Sequence, residues 1–153
     1  MVHLTSLFAC LRRPNGAGKT TTISLLTGLE QPSDGSATIG GFDIQNQIHL
    51  VHKMTGVCPQ FDKVWPELTV RQHLKFYVML KGITRKSAEL AARQLAEQVQ
   101  LDGDPYSKTA AKLSGGEKRR LSIAIALAGS PPVCFFDEPT TGALCRNLIC
   151  RDQ

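Results

Sequence analysis

The chain has 153 residues, of which 42% are apolar and 20% charged, and its formal charge is +5 at pH 7. These values are typical of one globular domain, or a piece of one, and they exclude a disordered polar tail. No apolar run reaches the roughly 18 residues of a membrane-spanning helix, and the N-terminal residues lack the pattern of a signal peptide.

The basic residues do not indicate a nucleic-acid site, and the cysteines do not indicate a zinc site. Lysines and arginines cluster at 12–13, 85–86 and 118–120 without interleaved aromatic residues, which favours solvated helix faces over a nucleic-acid site. The five cysteines form no C-x-x-C pair. Cys58 and Cys134 lie in apolar, strand-like runs, so we expect buried free thiols of a reducing compartment rather than disulfides or zinc ligands.

A glycine-rich stretch follows an apolar run at 6–11, which predicts a buried strand. The stretch reads Pro14-Asn15-Gly16-Ala17-Gly18-Lys19-Thr20-Thr21 and matches the phosphate-binding pattern G-x-x-x-x-G-K-[ST] except at its first glycine. Gly16 and Gly18 allow the backbone to turn and to bring its N–H groups to phosphate oxygens. Lys19 supplies a positive charge for the β- and γ-phosphates, and the Thr20 hydroxyl is an oxygen ligand of the kind that Mg²⁺ prefers.

The first glycine of that pattern is replaced by Arg13. An arginine fits there only if the backbone does not require a positive φ. Its guanidinium either contacts a phosphate or prevents the loop from closing, and the sequence leaves both alternatives open. A glycine-rich turn without a ligand is the remaining alternative for this stretch.

The elements after the loop alternate between helix and strand. A helix over 21–27 is predicted first, with its positive N-terminal end facing the anion site. A turn at 32–35 then leads to a short strand at 36–39. A brief helix over 47–53 precedes a strand at 55–58, which Pro59 ends.

Two helices without an intervening strand occupy the middle of the chain. Thr69 and Gln72 form a capping box that begins the first helix, which ends near Gly82. Its predicted apolar face consists of Val70, Leu74, Tyr77 and Leu80. The second helix begins after Thr84, with Ala88, Ala92, Leu95 and Val99 at helical spacing. The pair predicts a helical insertion packed beside an α/β core.

A polar segment at 107–113, predicted as a loop, is followed by a second capping box, Ser114-Gly115-Gly116-Glu117. The helix that it begins has a predicted apolar face of Leu121, Ala124, Ile125 and Ala128. The run at 133–136 is apolar without alternation, as expected of a strand covered on both faces. Asp137 and Glu138 follow that strand directly.

Four motifs stand in a specific order: the phosphate-binding loop, Gln60 after a strand, the run at 113–117, and the apolar strand that ends in Asp137-Glu138. In this order and spacing the chain resembles the nucleotide-binding domain of ABC transporters, over about residues 14–142. The stretches 56–62 and 68–74, with Trp65 between them, resemble subfamily A of that family, whose members mostly move lipids.

The resemblance implies a fold, two ligands and a reaction. The fold is an α/β, P-loop NTPase-like domain with a mostly parallel sheet, into which a helical subdomain of about residues 66–130 is inserted. The ligands are ATP and Mg²⁺, with Thr20, Gln60 and Asp137 around the metal ion. Glu138 is the implied base that polarises the attacking water, and Gln60 and Lys19 complete the catalytic set. The implied ATP contacts are Asn15, Gly16, Ala17, Gly18, Lys19, Thr20, Thr21, Ser114, Gly115, Gly116 and Glu117.

The second capping box has a further meaning within this family. Ser114, Gly115 and Gly116 lie at a helix N-terminus, which is a second anion site on one small domain. The resemblance implies a head-to-tail dimer of nucleotide-binding domains, in which these residues cap the ATP held by the other subunit's loop. A plain helix cap explains Ser114 and Glu117 but not the paired glycines, which helices disfavour.

The two ends of the chain depart from the family pattern. No aromatic residue that would stack on adenine is assigned upstream of the loop, and residues 143–147 lack the expected aspartate. No histidine stands where it would contact the γ-phosphate. We therefore expect residues 1–153 to be a single, incomplete domain, truncated at both ends.

Three hypotheses about function follow. The first is an ATP-hydrolysing cassette of a subfamily A lipid transporter, itself soluble, that acts at the cytoplasmic face of a membrane through transmembrane domains outside this chain. The second is a nucleotide-binding module without turnover, motivated by Arg13 and the missing histidine. The third is a fragment that does not fold alone. A helicase or kinase is disfavoured, because neither needs the run at 113–117.

Overall fold

The computed structural model describes residues 18–137 and the backbone of residues 7–9. The elements in these ranges are β1 (Leu7–Ala9), α1 (Lys19–Leu26), β2 (Thr38–Ile39), β3 (Phe42–Asp43), α2 (Ile48–Met54), β4 (Thr55–Cys58), α3 (Val70–Leu80), α4 (Arg85–Gln98), α5 (Asp104–Ser107), a 3₁₀ turn (Ala110–Lys112), α6 (Gly115–Leu127) and β5 (Val133–Phe136). They form two compact units, one with the described residues up to Val57 and Pro131–Asp137, the other with Cys58–Ser130. In this part of the chain, no helix is both long enough and apolar enough to cross a membrane.

The first unit is built on a three-stranded sheet in the order β1-β5-β4. The central strand β5 pairs in parallel with β1, with Leu7 opposite Val133. Cys134, Phe135 and Phe136 of β5 are all buried, as expected of a strand covered on both faces. The strands predicted at 55–58 and 133–136 are confirmed, and the one predicted at 6–11 contains β1.

An apolar cluster joins the helices and strands of the first unit. Its buried members are Ile23, Ile39, Ile44, Val51 and Phe135. Burial of aliphatic and aromatic side chains of this size contributes about 1.5–3 kcal/mol each. The brief helix predicted at 47–53 is confirmed as α2. The strand β3, which pairs antiparallel with β2, is not predicted from the sequence, because a two-residue strand shows no periodicity.

The second unit is helical, and both predicted helices of its first half are present. The Thr69 side chain accepts a hydrogen bond from the Gln72 amide and the Gln72 side chain accepts one from the Thr69 amide, so the predicted capping box is confirmed. The predicted interior residues of α4 and its C-cap, Ala88, Ala92, Leu95 and Val99, are all buried. Arg71 of α3 donates from Nε to Glu89 of α4 at 2.8 Å, and this hydrogen bond lowers the pKa of the Glu89 carboxyl.

The predicted apolar face of α3 is wrong at its C-terminal end. Leu80 is 67% exposed, and Tyr77 is half-buried. The buried side of the helix includes His73 and Val78 instead, together with the predicted Val70 and Leu74. Leu80 lies within about 20° of the buried His73 around the helix, so the direction of the predicted face is not the cause. Leu80 is the last residue of α3, and helical periodicity does not show where along a helix the burial ends.

Two further predictions for this unit need correction. The segment at 107–113 is not wholly a loop, since it contains the 3₁₀ turn, and α5 precedes it. The helix α6 is buried on more than the predicted apolar face. Its buried residues are Arg119, Leu121, Ser122, Ile123, Ala124 and Ala126, whereas the predicted Ile125 is half-buried. Small side chains on several sides of a helix allow neighbouring segments to approach it closely. The periodicity of a single apolar face does not predict burial on those other sides.

His73 of α3 is fully buried, and its hydrogen bonds select one neutral tautomer. The backbone N–H of Trp65 donates to Nε2 at 3.0 Å, so the ring proton is on Nδ1, which donates to the Thr69 carbonyl at 2.9 Å. The Trp65 ring also stacks on the imidazole, with centroids 5.6 Å apart. Burial lowers the pKa of His73 and outweighs the opposing effect of the hydrogen bond to Thr69.

This lowered pKa predicts that the protein loses stability on acidification. Below the ordinary histidine pKa of about 6.5 the unfolded chain binds a proton that the folded chain does not. The contribution of His73 to the free energy of unfolding is therefore complete above that pH and decreases as the pH falls towards the lower, folded pKa. Urea unfolding at several pH values, followed by the fluorescence of the single tryptophan, measures the slope.

One variant separates His73 from the other titrating groups. His73→Gln should flatten the dependence of stability on pH below neutrality. An equal slope for His73→Gln and the unmodified chain would contradict the assignment.

Candidate functional site

The phosphate-binding motif enters α1 at Gly18. This N-cap residue has a φ of +77°, a conformation that L side chains rarely adopt, so the predicted need for glycine is confirmed there. Lys19 and Thr20 are the first two residues of α1, and the first turn of the helix contains no acidic side chain. The positive end of the helix dipole is therefore not neutralised by its own turn, which suits an anion.

Thr20 and Asp137 are brought together although 117 positions separate them in the sequence. Thr20 Oγ1 donates a hydrogen bond to Asp137 Oδ2 at 2.7 Å. Asp137 follows the central strand β5 and is 5% exposed, while Thr20 is at the surface. A hydroxyl and a carboxylate in this arrangement are hard oxygen ligands, so the pair fits a Mg²⁺ ion that is also held by phosphates and water.

The second predicted anion site is the N-terminus of α6. Its capping box is confirmed: the Glu117 amide donates to Ser114 Oγ at 3.3 Å, and the Ser114 amide donates to the Glu117 carboxylate at 2.7 Å. This backbone hydrogen bond lowers the pKa of Glu117. Ser114, Gly115 and Gly116 are all exposed, so a second molecule can reach them.

The fold of this unit does not itself require glycine at positions 115 and 116. Neither residue has a positive φ, and a Cβ atom added at either would meet no atom of the described residues within 4 Å. Glycine within a helix costs about 0.5–1 kcal/mol relative to alanine. Two exposed glycines without an internal role favour a close approach of a ligand or partner to this helix end.

Gln60 is exposed on the segment that follows β4. Its backbone carbonyl accepts a hydrogen bond from Arg119 Nη1 at 3.3 Å, and the same nitrogen donates to the Pro59 carbonyl at 2.5 Å. The Asp62 carboxylate lies 3.3 Å from this nitrogen. Sequence reasoning missed Arg119, because an arginine in a basic run gives no sign that it is buried against a segment 60 residues away.

The described residues contain part of the predicted site. Thr20 and Asp137 are in direct contact, with Lys19 beside Thr20 and Thr21 exposed on the same turn. Gln60, Ser114, Gly115, Gly116 and Glu117 belong to the second unit. Asn15, Gly16, Ala17, Glu138 and Arg13 lie outside the described residues. Cys58 and Cys134 are buried and form no disulfide, as predicted.

The chain matches known proteins over most of its length. A family model described as ABC transporter matches residues 10–141. ABC transporter A family member 4 of Dictyostelium discoideum is 47% identical over 140 residues, which cover 89% of this chain and 9% of that protein. ABC transporter A family member 12 of Arabidopsis thaliana is 48% identical over 130 residues, which cover 84% of this chain and 14% of that protein. The chain thus spans 9% to 14% of the length of these two relatives.

Solved structures share the fold. An ATP-binding cassette determined as a dimer in a post-hydrolysis state with ADP and Pi has a TM-score of 0.78 at 23% identity, covering 89% of this chain and 65% of that one. An ATP-binding subunit of an ABC transporter has a TM-score of 0.75 at 26% identity, covering 95% and 59%. The predicted α/β, P-loop NTPase-like fold is confirmed. Because the family model extends over residues 10–141, from the phosphate-binding loop past Asp137, this chain belongs to the ABC transporter family.

Proposed function

We propose that this chain is the ATP-binding and ATP-hydrolysing cassette of a subfamily A transporter. The observation that carries the proposal is the hydrogen bond between Thr20 at the start of α1 and Asp137 at the end of β5. It joins the two motifs that hold nucleotide phosphates and their metal ion in P-loop proteins. We further propose that residues 1–153 belong to a single domain of the cassette type, into which a helical subdomain of about residues 66–130 is inserted.

Each proposed residue has a role that its chemistry supports. The backbone N–H groups of 15–21 and the Lys19 ammonium bind the β- and γ-phosphates of ATP. Thr20 and Asp137 hold Mg²⁺, which when bound neutralises charge that develops on the phosphate oxygens. Glu138 orients and deprotonates the attacking water, and the Gln60 amide hydrogen-bonds that water or the metal shell.

We propose that the second partner of the nucleotide is another nucleotide-binding domain, docked head-to-tail. The N-terminus of α6 is exposed, and within the described residues nothing in the backbone conformation or the surroundings requires its two glycines. They allow the backbone N–H groups of this helix end to approach a phosphate closely. An ATP-binding cassette of the same fold has been solved as a dimer with ADP and Pi.

We propose that the transmembrane domains of a transporter bind the exposed side of α3. The rings of Trp65 and Phe76 are 45% and 44% exposed and lie edge to face, with centroids 5.5 Å apart. Leu80, one helical turn after Phe76, is 67% exposed. Contiguous exposed apolar side chains of this kind mark protein or membrane contacts. Such a partner would bring the cassette to the cytoplasmic face of a membrane and couple hydrolysis to movement of lipids.

Phosphate release from Mg-ATP by the purified chain tests the proposal. We expect hydrolysis by the unmodified chain, and a loss of about 100-fold or more in Glu138→Gln, because a positioned base contributes that much. The Glu138→Gln chain should still bind ATP. Glu67→Gln, which removes an exposed carboxylate on the second unit, is the matched control and should hydrolyse ATP normally.

The outcome also separates turnover from binding alone. A chain that binds Mg-ATP without releasing phosphate would be a nucleotide-binding module, the alternative motivated by Arg13. Equal rates for Glu138→Gln and the unmodified chain would contradict the role of the glutamate.

A further inference from the structure

We propose that Arg119 is a positioning residue for Gln60. The buried guanidinium holds the backbone of the segment that carries the glutamine, and it does so from the helix that begins at Ser114. The inference rests on the proposed function for what Gln60 does, while the tether itself is a property of the folded chain.

The contacts of Arg119 concentrate on a short piece of backbone. Its Nη1 atom donates to the carbonyls of Pro59 and Gln60, at 2.5 and 3.3 Å, and lies 3.3 Å from the Asp62 carboxylate. The Arg119 residue is 8% exposed, although it belongs to α6 and most arginines remain in solvent. A buried charge is tolerated only when it is paired and hydrogen-bonded. The folded state therefore favours the position of the backbone around Gln60 in which these contacts form.

The segment needs such a tether because residues 59–64 belong to neither a helix nor a strand. At its far end the Trp65 amide is bound to His73. At its near end, the contacts of Arg119 lie on the residues directly around Gln60. Gln60 is exposed, so the contacts of Arg119 hold its backbone without burying the residue.

The position of Arg119 on α6 links this tether to the proposed dimer contact. Arg119 follows Ser114 by five residues, so the two lie about 7–8 Å apart along the axis of one helix. A helix is stiff over this length, so a displacement of its N-terminus on contact with a partner's nucleotide is transmitted to Arg119. Gln60 is therefore held in place by the same helix that presents Ser114, Gly115 and Gly116.

Substitution of Arg119 tests the tether directly, with the single tryptophan as a reporter of the segment. Arg119→Met keeps much of the side-chain volume and removes the donors, so acrylamide should quench Trp65 more strongly than in the unmodified chain. Arg119→Lys keeps the charge but replaces the forked guanidinium with a single ammonium group, so it should give intermediate quenching. Arg120→Met is the matched control, since Arg120 lies next in the helix and donates to the Gln100 carbonyl instead.

The kinetic readout distinguishes positioning from general damage. In Arg119→Met we expect kcat to fall about tenfold, which is a typical loss when a group that positions a metal-binding residue is removed. The KM for ATP should change less than about twofold. The Mg²⁺ concentration at half-maximal rate should rise, and Arg119→Lys should recover most of kcat. Asp62→Asn provides a second, milder variant should Arg119→Met fail to fold.

Two results would overturn the inference. One is quenching of Trp65 that is equal in the unmodified chain, in Arg119→Lys and in Asp62→Asn. The other is increased quenching with an unchanged kcat, which would mean that the segment is released without effect on Gln60. Absence of phosphate release by the unmodified chain would contradict the proposed function instead, and the quenching series would still decide whether Arg119 holds the segment.

Discussion

Two inactive variants of this chain should restore hydrolysis when they are mixed. In the proposed head-to-tail dimer each ATP lies between Lys19 of one subunit and the α6 N-terminus of the other. Lys19→Ala removes the charge on the phosphates, and Gly116→Asp puts a carboxylate beside the triphosphate. Each variant alone has two defective sites per dimer. A mixed dimer combines both defects in one site and leaves the other site intact.

The expected recovery follows from the pairing. With equal amounts and random exchange, about half of the dimers are mixed and half of their sites are intact, so about a quarter of the unmodified rate returns. Gly116→Asp should not harm the fold. In the part of the chain that the structure describes, nothing lies within 4 Å of the added Cβ, and an acidic side chain in the first turn of a helix is favourable.

The control is a chain that carries both substitutions, mixed with Lys19→Ala. No pairing of these two chains contains an intact site, so phosphate release should stay at the background level. Recovery in this control, or no recovery in the mixture of the two single variants, would contradict the head-to-tail arrangement.

Short-range chemistry explains why most elements could be predicted from the sequence. The capping boxes at Thr69 and Ser114 join residues only three positions apart, so both partners are visible in one window. The strand β5 is an unbroken apolar run, which indicates burial on both faces. The positive φ of Gly18 is what a glycine before Lys-Thr in this motif indicates.

Features that depend on distant residues could not be predicted from the sequence in the same way. The pairing of Thr20 with Asp137 was accessible because each belongs to a motif with a known partner. Arg119 and His73 belong to no such motif, and their burial results from contacts with the Pro59–Trp65 region. Leu80 was misplaced because periodicity gives the direction of a buried face but not the point along the helix at which its burial ends.

Isosteric changes at Thr20 and Asp137, the proposed metal-binding pair, should nearly abolish turnover. Asp137→Asn removes a charge, and Thr20→Val removes a hydroxyl, with little change in shape. Metal-ion stabilisation of the transition state is worth several kcal/mol, and each 1.36 kcal/mol is a factor of ten, so we expect a loss of about 100-fold or more. Thr20→Ser keeps the hydroxyl and should retain most of the rate. Phosphate release at a series of Mg²⁺ concentrations measures the effect.

Thermal unfolding separates the metal-binding role from a purely structural one. A ligand that binds only the folded state raises stability with its concentration. Mg²⁺ added at a fixed ATP concentration should therefore raise the Tm of the unmodified chain, and this increase should disappear in Asp137→Asn. If the hydrogen bond between Thr20 and Asp137 served the fold alone, Thr20→Val would lower the Tm in the absence of Mg²⁺ while the Mg²⁺-dependent increase persisted. That combination, with a normal rate in Asp137→Asn, would remove the pair from the nucleotide site.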